Sequence, residues 1–281
     1  MEPGGEVVSA GLDYISMTMH NDNPAKAQWL RTAQDYLSEL TPVMGEMKSA
    51  RRLGYEGMSL GGCFVGERDR DTIAVYSGER AKRAYTLLYN SIVHVSRVDV
   101  QTSFRYGTTA SNVAEVVRNQ VERDNRRIGS ARQRNATLIS DLRGGATCYV
   151  GTRKSEQFAR VYNKETESNE PQYERVWRFE VQLKNRLADK LCEQLATATY
   201  TTEMHAAVFV KQWLKNRGVS TPWKADAELL PLPVDNQTPT VHEQKLLWLR
   251  SQVRPALRQL LKYGLRDVII EALGLEDDAT R

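Results

Sequence analysis

Polar and apolar residues alternate in three segments of the chain, at 95–104, 158–164 and 175–184. A period of two is typical of a β-strand, because successive side chains of a strand point to opposite faces. Each segment therefore predicts a strand with one apolar face in the core and one polar face. The predicted polar faces carry Arg97, Asp99 and Gln101 in the first segment, Arg160, Tyr162 and Lys164 in the second, and Arg178, Glu180, Gln182 and Lys184 in the third.

These polar faces combine a tyrosine, two carboxylates and several cations if the three strands are neighbours in one sheet. Taken alone, Tyr162 is more typical of a packed tyrosine, since a hydroxyl with a pKa near ~10 is a poor nucleophile. Asp99 and Glu180, each close to an arginine, are singly more typical of ion pairs. Together the groups favour chemistry on a phosphate, in which carboxylates hold Mg²⁺ or Mn²⁺, cations offset negative charge and a tyrosinate attacks in line.

In most of the rest of the chain, apolar residues recur at helical spacing. Further strands are predicted in the first third of the chain. The pattern predicts an α+β body over the first 185 residues and a helical remainder. A polar linker with four prolines, at 218–239, precedes the last helices. The further predicted strands are 10–19, 58–65 and 72–76, and the predicted helices are 24–40, 78–91, 111–132, 241–263 and 265–275, with helical spacing also from about residue 188.

Positive charge is concentrated locally rather than spread over the chain. The sequence has 39 Lys and Arg against 35 Asp and Glu, with a pI of about 8.9, so the overall balance favours polyanionic partners only mildly. Arg126 and Arg127 belong to an arginine-rich stretch, and Arg153 and Lys154 lie next to the tyrosine strand. We expect these four residues to contact DNA. For the arginine-rich helix, an ordinary solvated surface is an equally strong interpretation, because acidic residues interrupt it.

Several common kinds of site are absent from the sequence. Three widely spaced cysteines, without a CxxC pair, support neither a disulfide framework nor a zinc site. The four histidines form no close pair, and no GxSxG, Walker A or GxGxxG motif occurs. The N-terminus lacks the pattern of a signal peptide, and no apolar run reaches the ~18 residues of a membrane helix. These observations predict a cytoplasmic protein without a membrane segment.

The sequence YVGTRKSEQFARVYNK, followed by VWRFEVQLKN, closely resembles the motif of trans-acting rolling-circle replication initiators. That motif has a Tyr-Ile-Gly-Ser-Arg stretch, an Arg-x-Tyr-Asn-Lys core and an Arg-x-Glu strand. GLDYISMT, SGERA and SRVDV are supporting matches, so the resemblance spans roughly residues 10–200. The family covers initiators of small plasmids and filamentous phages, and the related MOBT relaxases of integrative conjugative elements.

This resemblance implies a role for each motif residue. Tyr162 would be the nucleophile that nicks DNA, remaining attached to the 5′-phosphate while the released 3′-OH primes synthesis. Asp99 and Glu180 would bind Mg²⁺ or Mn²⁺, and Gln182 stands where some members have a second Glu. Asp13 is a weaker candidate, which equally suits a strand end or a contact with a backbone amide. The residues that would stabilise phosphate charge or position DNA are Arg160, Lys164 and Arg178.

The resemblance also implies a fold, partners and an activity. The fold would be an antiparallel mixed sheet that carries the nicking site in a domain at 1–200, with a C-terminal helical region at 201–281. The partners would be origin DNA, a second copy of the chain in a homodimer, and the host helicase and polymerase. The activity would be metal-dependent, site-specific nicking of one strand, with later strand transfer and rejoining, which initiates rolling-circle replication.

Two other functions stay open on the sequence. A conjugative relaxase of an integrative element would use the same chemistry. A DNA-binding regulator that kept the scaffold without nicking would use Tyr162 for packing and Glu180 for an ion pair. A tyrosine recombinase is disfavoured, because its constellation of Arg, His and Arg cannot be assembled here.

Overall fold

The computed structural model of the protein describes residues 5–107, 112–128, 134–140, 145–168 and 170–224, together with Leu261 and Gly264. The chain divides into two compact units, Met1–Leu232 and Pro233–Arg281. The predicted helices at 241–263 and 265–275 lie outside the described residues, except for Leu261. The predicted division at residue 200 therefore stays a prediction.

A ten-stranded antiparallel sheet forms the centre of the first unit, in the order β2-β3-β4-β5-β1-β6-β10-β9-β8-β7. This arrangement confirms the predicted α+β class and the antiparallel core. The longest strand, β1, pairs with β5 on one side and β6 on the other. The strands are β1 (Gly5–His20), β2 (Lys48–Arg52), β3 (Tyr55–Leu60), β4 (Cys63–Glu67), β5 (Asp71–Ser77), β6 (His94–Tyr106), β7 (Ala136–Ser140), β8 (Ala146–Val150), β9 (Gln157–Asn163) and β10 (Val176–Lys184).

The longer helices cover one face of this sheet. Buried side chains such as Val98 of β6, Val161 of β9 and Val181 of β10 belong to the core beneath them. Side chains that alternate with these residues lie on the opposite face. No helix in the described part of the chain is long and apolar enough to cross a membrane. The helices are α1 (Lys26–Glu39), α2 (Thr41–Met44), α3 (Arg80–Leu88), α4 (Val113–Ile128), α5 (Lys164–Ser168), α6 (Asn185–Thr197) and α7 (Thr202–Lys215).

Each of the large helices has an apolar stripe that fixes it on the sheet. The stripe of α4 contains Val117 and Val121, which are buried where α4 packs on β7, β8 and β9. In the same way α6 packs on β6 and β10, and α7 packs on β1, β6 and β10. The face of the sheet that bears the polar residues is therefore the face away from these helices.

The prediction of a single strand at 58–65 is wrong, because a tight hairpin divides that segment into β3 and β4. Leu60 pairs with Cys63, so the loop consists of Gly61 and Gly62 alone. Their φ angles are +48° and +87°. Positive φ at both central residues is required by the type I′ turn of a two-residue hairpin, and glycine adopts it without a Cβ clash.

Candidate active site

The polar faces of β6, β9 and β10 join into one surface, because β10 lies between β6 and β9. Glu180 pairs with Gln101 of β6 and with Arg160 of β9, and Gln182 pairs with Asp99. Residues directly opposite each other in a sheet present their side chains on the same face. The three strands are thus neighbours in one sheet, and the two carboxylates lie on one surface with Arg160. The same surface carries Arg178, which pairs with Ser103 of β6 and Tyr162 of β9.

Both carboxylates of this surface are buried and paired with guanidinium groups. Glu180 is 2% exposed and Asp99 is 1% exposed. The Nε and Nη2 atoms of Arg160 each donate to a different oxygen of Glu180, both at 2.9 Å. Arg97 likewise donates bidentate hydrogen bonds to Asp99, from Nη2 to Oδ2 and from Nε to Oδ1, the latter at 2.8 Å. Such bidentate pairing makes the burial of these charges tolerable.

Burial changes the acidity of the two carboxyl groups. It raises the pKa of Glu180 to about 7, against the opposing effect of Arg160, and the neighbouring charge of Asp99 raises it further. Burial also raises the pKa of Asp99, against the opposing effect of Arg97. Buried carboxyl groups with raised pKa values are typical of a site that binds a cation or handles a proton.

Tyr162 lies beside Glu180 at the edge of the same cluster. Its hydroxyl donates a hydrogen bond of 3.5 Å to Glu180 Oε2, and the guanidinium of Arg160 lies 5.2 Å from the ring centroid. Burial raises the pKa of Tyr162 and Glu180 raises it further, whereas Arg178 and Arg160 lower it. The hydroxyl is therefore protonated at rest. It becomes a nucleophile only if its proton leaves during attack, and the nearby oxygen of Glu180 is placed to accept that proton.

Arg178 links three strands through a chain of hydrogen bonds. Its Nη1 atom donates to Asp13 Oδ1 at 3.0 Å, and its Nε atom donates to Ser103 Oγ at 3.0 Å. Ser103 in turn donates to Gln101, and Gln101 donates to Ser9. Asp13 is thus the partner of a buried guanidinium in this structure. Ser9 and Ser103 could not be identified from the sequence, because a lone serine on a strand carries no distinctive pattern.

A hard divalent cation is chemically compatible with this surface. Within the described residues, no group of three or more His, Cys, Asp or Glu side chains could hold a metal. However, the Nε2 atom of Gln182 is buried and has no hydrogen-bond partner among those residues. Rotating this amide by a half-turn exchanges its nitrogen and oxygen, so it can present an oxygen beside Asp99. Two carboxylates and an amide oxygen form a donor set that suits Mg²⁺ or Mn²⁺.

Two cavities adjoin Tyr162. The larger, of about 820 Å³, is lined by Arg178, Lys164 and Asp13, among other residues. The smaller, of about 270 Å³, is lined by Thr147 of β8 and by the junction of β9 with α5. The two cavities share Arg160, Tyr162 and Glu167. Tyr162 therefore lines both cavities even though little of its side chain is exposed.

The four cations predicted to contact DNA are divided between two sides of the sheet. Arg126 and Arg127 are exposed in the last turn of α4, which packs on the helical face. Arg153 lies 4.3 Å from the ring centroid of Tyr149. Tyr149 pairs with Arg160 and so belongs to the polar face, which places Arg153 and its exposed neighbour Lys154 next to the candidate site.

Replacing Arg178 with lysine tests whether its fork holds β1, β6 and β10 together. A lysine keeps the charge but cannot donate hydrogen bonds to both Asp13 and Ser103 in the planar geometry of a guanidinium group. We expect the free energy of unfolding to fall by roughly 1.5–3 kcal/mol. The measurement is urea unfolding followed by circular dichroism.

The matched control is Arg51→Lys, which alters an ion pair of largely exposed side chains and is expected to change stability by less than about 0.5 kcal/mol. Equal effects of the two changes would contradict the bridging role.

The fold and site together define an α+β protein whose antiparallel sheet presents a tyrosine, two carboxylates and several guanidinium groups beside a cavity lined by charged side chains. The chain belongs to the Rep_trans family of replication initiation factors, whose sequence model matches residues 93–273. This match confirms the family resemblance seen in the motif residues.

A solved structure supports the similarity of fold. The rolling circle replication initiator protein from Geobacillus stearothermophilus is 17% identical in sequence, with a TM-score of 0.54. The similarity covers 74% of this chain and 84% of that one. No curated protein matches the chain.

Proposed function

We propose that this replication initiation factor starts rolling-circle replication by nicking one strand of origin DNA through Tyr162. The observation that carries the proposal is the hydrogen bond from the Tyr162 hydroxyl to a buried carboxylate, beside a cavity lined by Arg160, Lys164 and Arg178. A buried tyrosine with a proton acceptor and several cations has the parts that attack on a phosphodiester requires.

In the proposed reaction the Tyr162 oxygen bonds to phosphorus while the bond from phosphorus to the 3′ oxygen breaks. The tyrosine proton passes to Glu180 Oε2, and the released 3′ oxygen takes a proton from solvent. Arg160, Arg178 and Lys164 offset the negative charge that accumulates on the phosphate. A Mg²⁺ or Mn²⁺ ion held by Asp99, Glu180 and Gln182 would supply further polarisation of a non-bridging oxygen.

The product of this step is a 5′-phosphotyrosine bond and a free 3′-OH. The covalent bond retains the energy of the phosphodiester, so a later attack by a 3′-OH can transfer or rejoin the strand without ATP. Origin DNA is the partner that a replication initiation factor implies, and a homodimer and the host helicase and polymerase are further proposed partners.

Incubating the protein with supercoiled DNA that carries the origin of its replicon, and with Mg²⁺ or Mn²⁺, tests this function. We expect open circles with protein covalently attached at the 5′ end of the nicked strand, without added ATP. Binding to the origin without any adduct, under every divalent metal tried, would contradict nicking and favour the regulator.

The loop that carries Arg153 and Lys154 should bind DNA close to the nick. We expect the double change Arg153→Ala and Lys154→Ala to weaken binding of single-stranded origin DNA and to reduce the slope of log affinity against log salt by about 1 to 2. Fluorescence anisotropy over a series of salt concentrations measures both quantities.

Its matched comparison is the double change Arg126→Ala and Arg127→Ala, which removes the same number of charges from the helical face. This second variant should change the affinity and the salt slope less. If it instead weakens binding more than the first, the DNA path over the polar face is wrong.

A further inference from the structure

The smaller cavity lies on the far side of Tyr162 from most of the site's charge. It is formed by β7, β8, β9 and the first turn of α5, with Thr147, Tyr149 and Asn163 in its wall. Thr147 pairs directly with Tyr162 across β8 and β9, so the two side chains share a face. A strand of DNA whose phosphate reaches the Tyr162 hydroxyl therefore has this cavity beside it.

The two cavities differ in charge. Five cationic side chains line the larger one, namely Lys82, Arg105, Arg160, Lys164 and Arg178, together with the four carboxylates of Asp13, Glu79, Glu167 and Glu203. Arg160 is the one cation among the described residues that line the smaller cavity, where it is accompanied by a carboxylate and by hydroxyl, amide and apolar groups. A cavity with several guanidinium and ammonium groups suits the phosphates of a DNA strand, whereas one with a single cation and mostly neutral polar groups suits a base.

The size of the smaller cavity restricts what it can hold. Its volume of about 270 Å³ lies just below the range of roughly 300–1,000 Å³ that is typical of sites for drug-sized ligands. Such a space accommodates one aromatic heterocycle rather than a run of nucleotides. An unpaired base can enter a pocket of this kind after turning out of the strand, because single-stranded bases are only weakly held by stacking.

The groups in the wall are suited to recognising a base. Asn163 Oδ1 accepts a hydrogen bond from the backbone nitrogen of Glu165 at 3.0 Å, which fixes the amide so that Nδ2 remains as the donor. Neither this Nδ2 atom nor Thr147 Oγ1 has a hydrogen-bond partner within the described part of the chain. The ring of Tyr149, on which the Arg153 guanidinium packs 4.3 Å from the centroid, lines the same wall and supplies an aromatic group. Edge contacts to donors combined with an aromatic ring are how proteins commonly bind an unpaired base.

From these observations we propose that the smaller cavity, which we name the base pocket, binds the base of a nucleotide immediately flanking the scissile phosphate. The base pocket sets the sequence preference of nicking at that position and helps to hold the phosphate in line with Tyr162. This inference rests on the proposed nicking function and adds to it a specificity site that contacts a neutral part of the substrate.

An abasic scan tests the base pocket. The substrates are single-stranded oligonucleotides that cover the origin strand, each with one base removed near the nick, which is first mapped by primer extension. We expect the single-turnover nicking rate of the unaltered protein to fall by about 5- to 150-fold at one flanking position, the equivalent of losing one stacked base. If no flanking position shows such a loss while the intact oligonucleotide is nicked, the base pocket is refuted.

The variant Thr147→Leu fills the base pocket from a partly exposed strand position. We expect it to nick the intact oligonucleotide as slowly as the unaltered protein nicks the abasic one, and to show no further loss on the abasic substrate. Thr86→Leu makes the same exchange at an exposed position of α3 that lines neither cavity. Its nicking rate should fall on the abasic oligonucleotide as much as that of the unaltered protein. If the missing base lowers the nicking rate equally in Thr147→Leu and in the unaltered protein, the base pocket is wrong.

Repeating the scan as a binding measurement separates this inference from the proposed function. In the Tyr162→Phe background the oligonucleotides stay uncleaved, so anisotropy reports the affinity alone. We expect the same flanking base to contribute to affinity, and Thr147→Leu to remove that contribution. If removing the flanking base leaves this affinity unchanged, the base pocket is refuted. If the protein binds the base but never nicks the strand, only the proposed function is refuted.

Discussion

Replacing Tyr162 with phenylalanine is expected to abolish both nicking and the covalent adduct, with a fall in rate on the order of 10⁴-fold or more. The change removes one oxygen, the proposed nucleophile, from a side chain that is 6% exposed. The aromatic ring and its packing are retained, and the lost hydrogen bond to Glu180 is a long one at 3.5 Å. We therefore expect the free energy of unfolding to change by no more than about 1.5 kcal/mol.

The matched control for this change is Tyr36→Phe. Tyr36 is buried to a similar degree and its hydroxyl also makes a long hydrogen bond, of 3.3 Å to the backbone oxygen of Arg80, but it lies among the helices. Oligonucleotides labelled at the 3′ end reveal the adduct on a denaturing gel. The adduct should persist in Tyr36→Phe. An adduct that survives in Tyr162→Phe would show that another group is the nucleophile.

Neutralising either buried carboxylate, by Asp99→Asn or Glu180→Gln, is expected to lower nicking by about 10³-fold or more, since a metal-assisted step is worth several kcal/mol. The exchange keeps the size of the side chain but removes the charge that a divalent cation needs. Titrating Mn²⁺ by calorimetry should show binding to the unaltered protein and greatly weakened binding to both variants. Binding of origin DNA should be retained, because the cations of the larger cavity remain.

The control for the carboxylates is Asp124→Asn. Asp124 is a half-buried partner of Arg134 at 2.6 Å, on α4 and therefore on the helical face. This change should leave both the Mn²⁺ titration and the nicking rate as they are in the unaltered protein. Nicking by Glu180→Gln at the normal rate across the whole metal titration would remove Glu180 from the proposed ligand set, and the same result for Asp99→Asn would remove Asp99.

The strands of the site could be predicted from the sequence because both faces of each strand carry a clear pattern. In β10, Trp177, Phe179 and Val181 alternate with Arg178 and Glu180, and the structure places the two groups on opposite faces. The edge strands β2 and β7 were missed, since most of their residues are exposed on both faces and leave no apolar period. Hydrophobic alternation reports burial, so an edge strand without a buried face gives no signal.

Contacts between distant strands could not be predicted in the same way. The partnership of Asp13 with Arg178 depends on the register of β1, β6 and β10, and the two residues are 165 positions apart in the chain. The order of the strands, with β10 inserted between β6 and β9, is likewise a result of tertiary packing. The two cavities beside Tyr162 arise only after these strands are assembled. Periodicity assigns a residue to a face, but it does not assign a neighbour.

The arginine-rich helix illustrates a second limit of the sequence. Its composition left a DNA-facing surface and a solvated surface equally supported. The buried stripe of α4, which includes Val117 and Val121, fixes the helix on the face of the sheet opposite Tyr162. A cluster of arginines in the sequence shows that a helix surface is basic. Whether that surface lies near a site depends on which side of the helix is apolar, because the apolar side packs on the sheet.

Identifying the amino acid that becomes attached to DNA tests the central proposal most directly. The adduct formed on an origin oligonucleotide can be digested with trypsin, which cuts after Arg160 and Lys164 and releases residues 161–164 with their single tyrosine. Mass spectrometry should then find this peptide linked through Tyr162 to the 5′-phosphate of the nicked strand. A linkage to any other residue, or to a 3′-phosphate, would contradict the proposal.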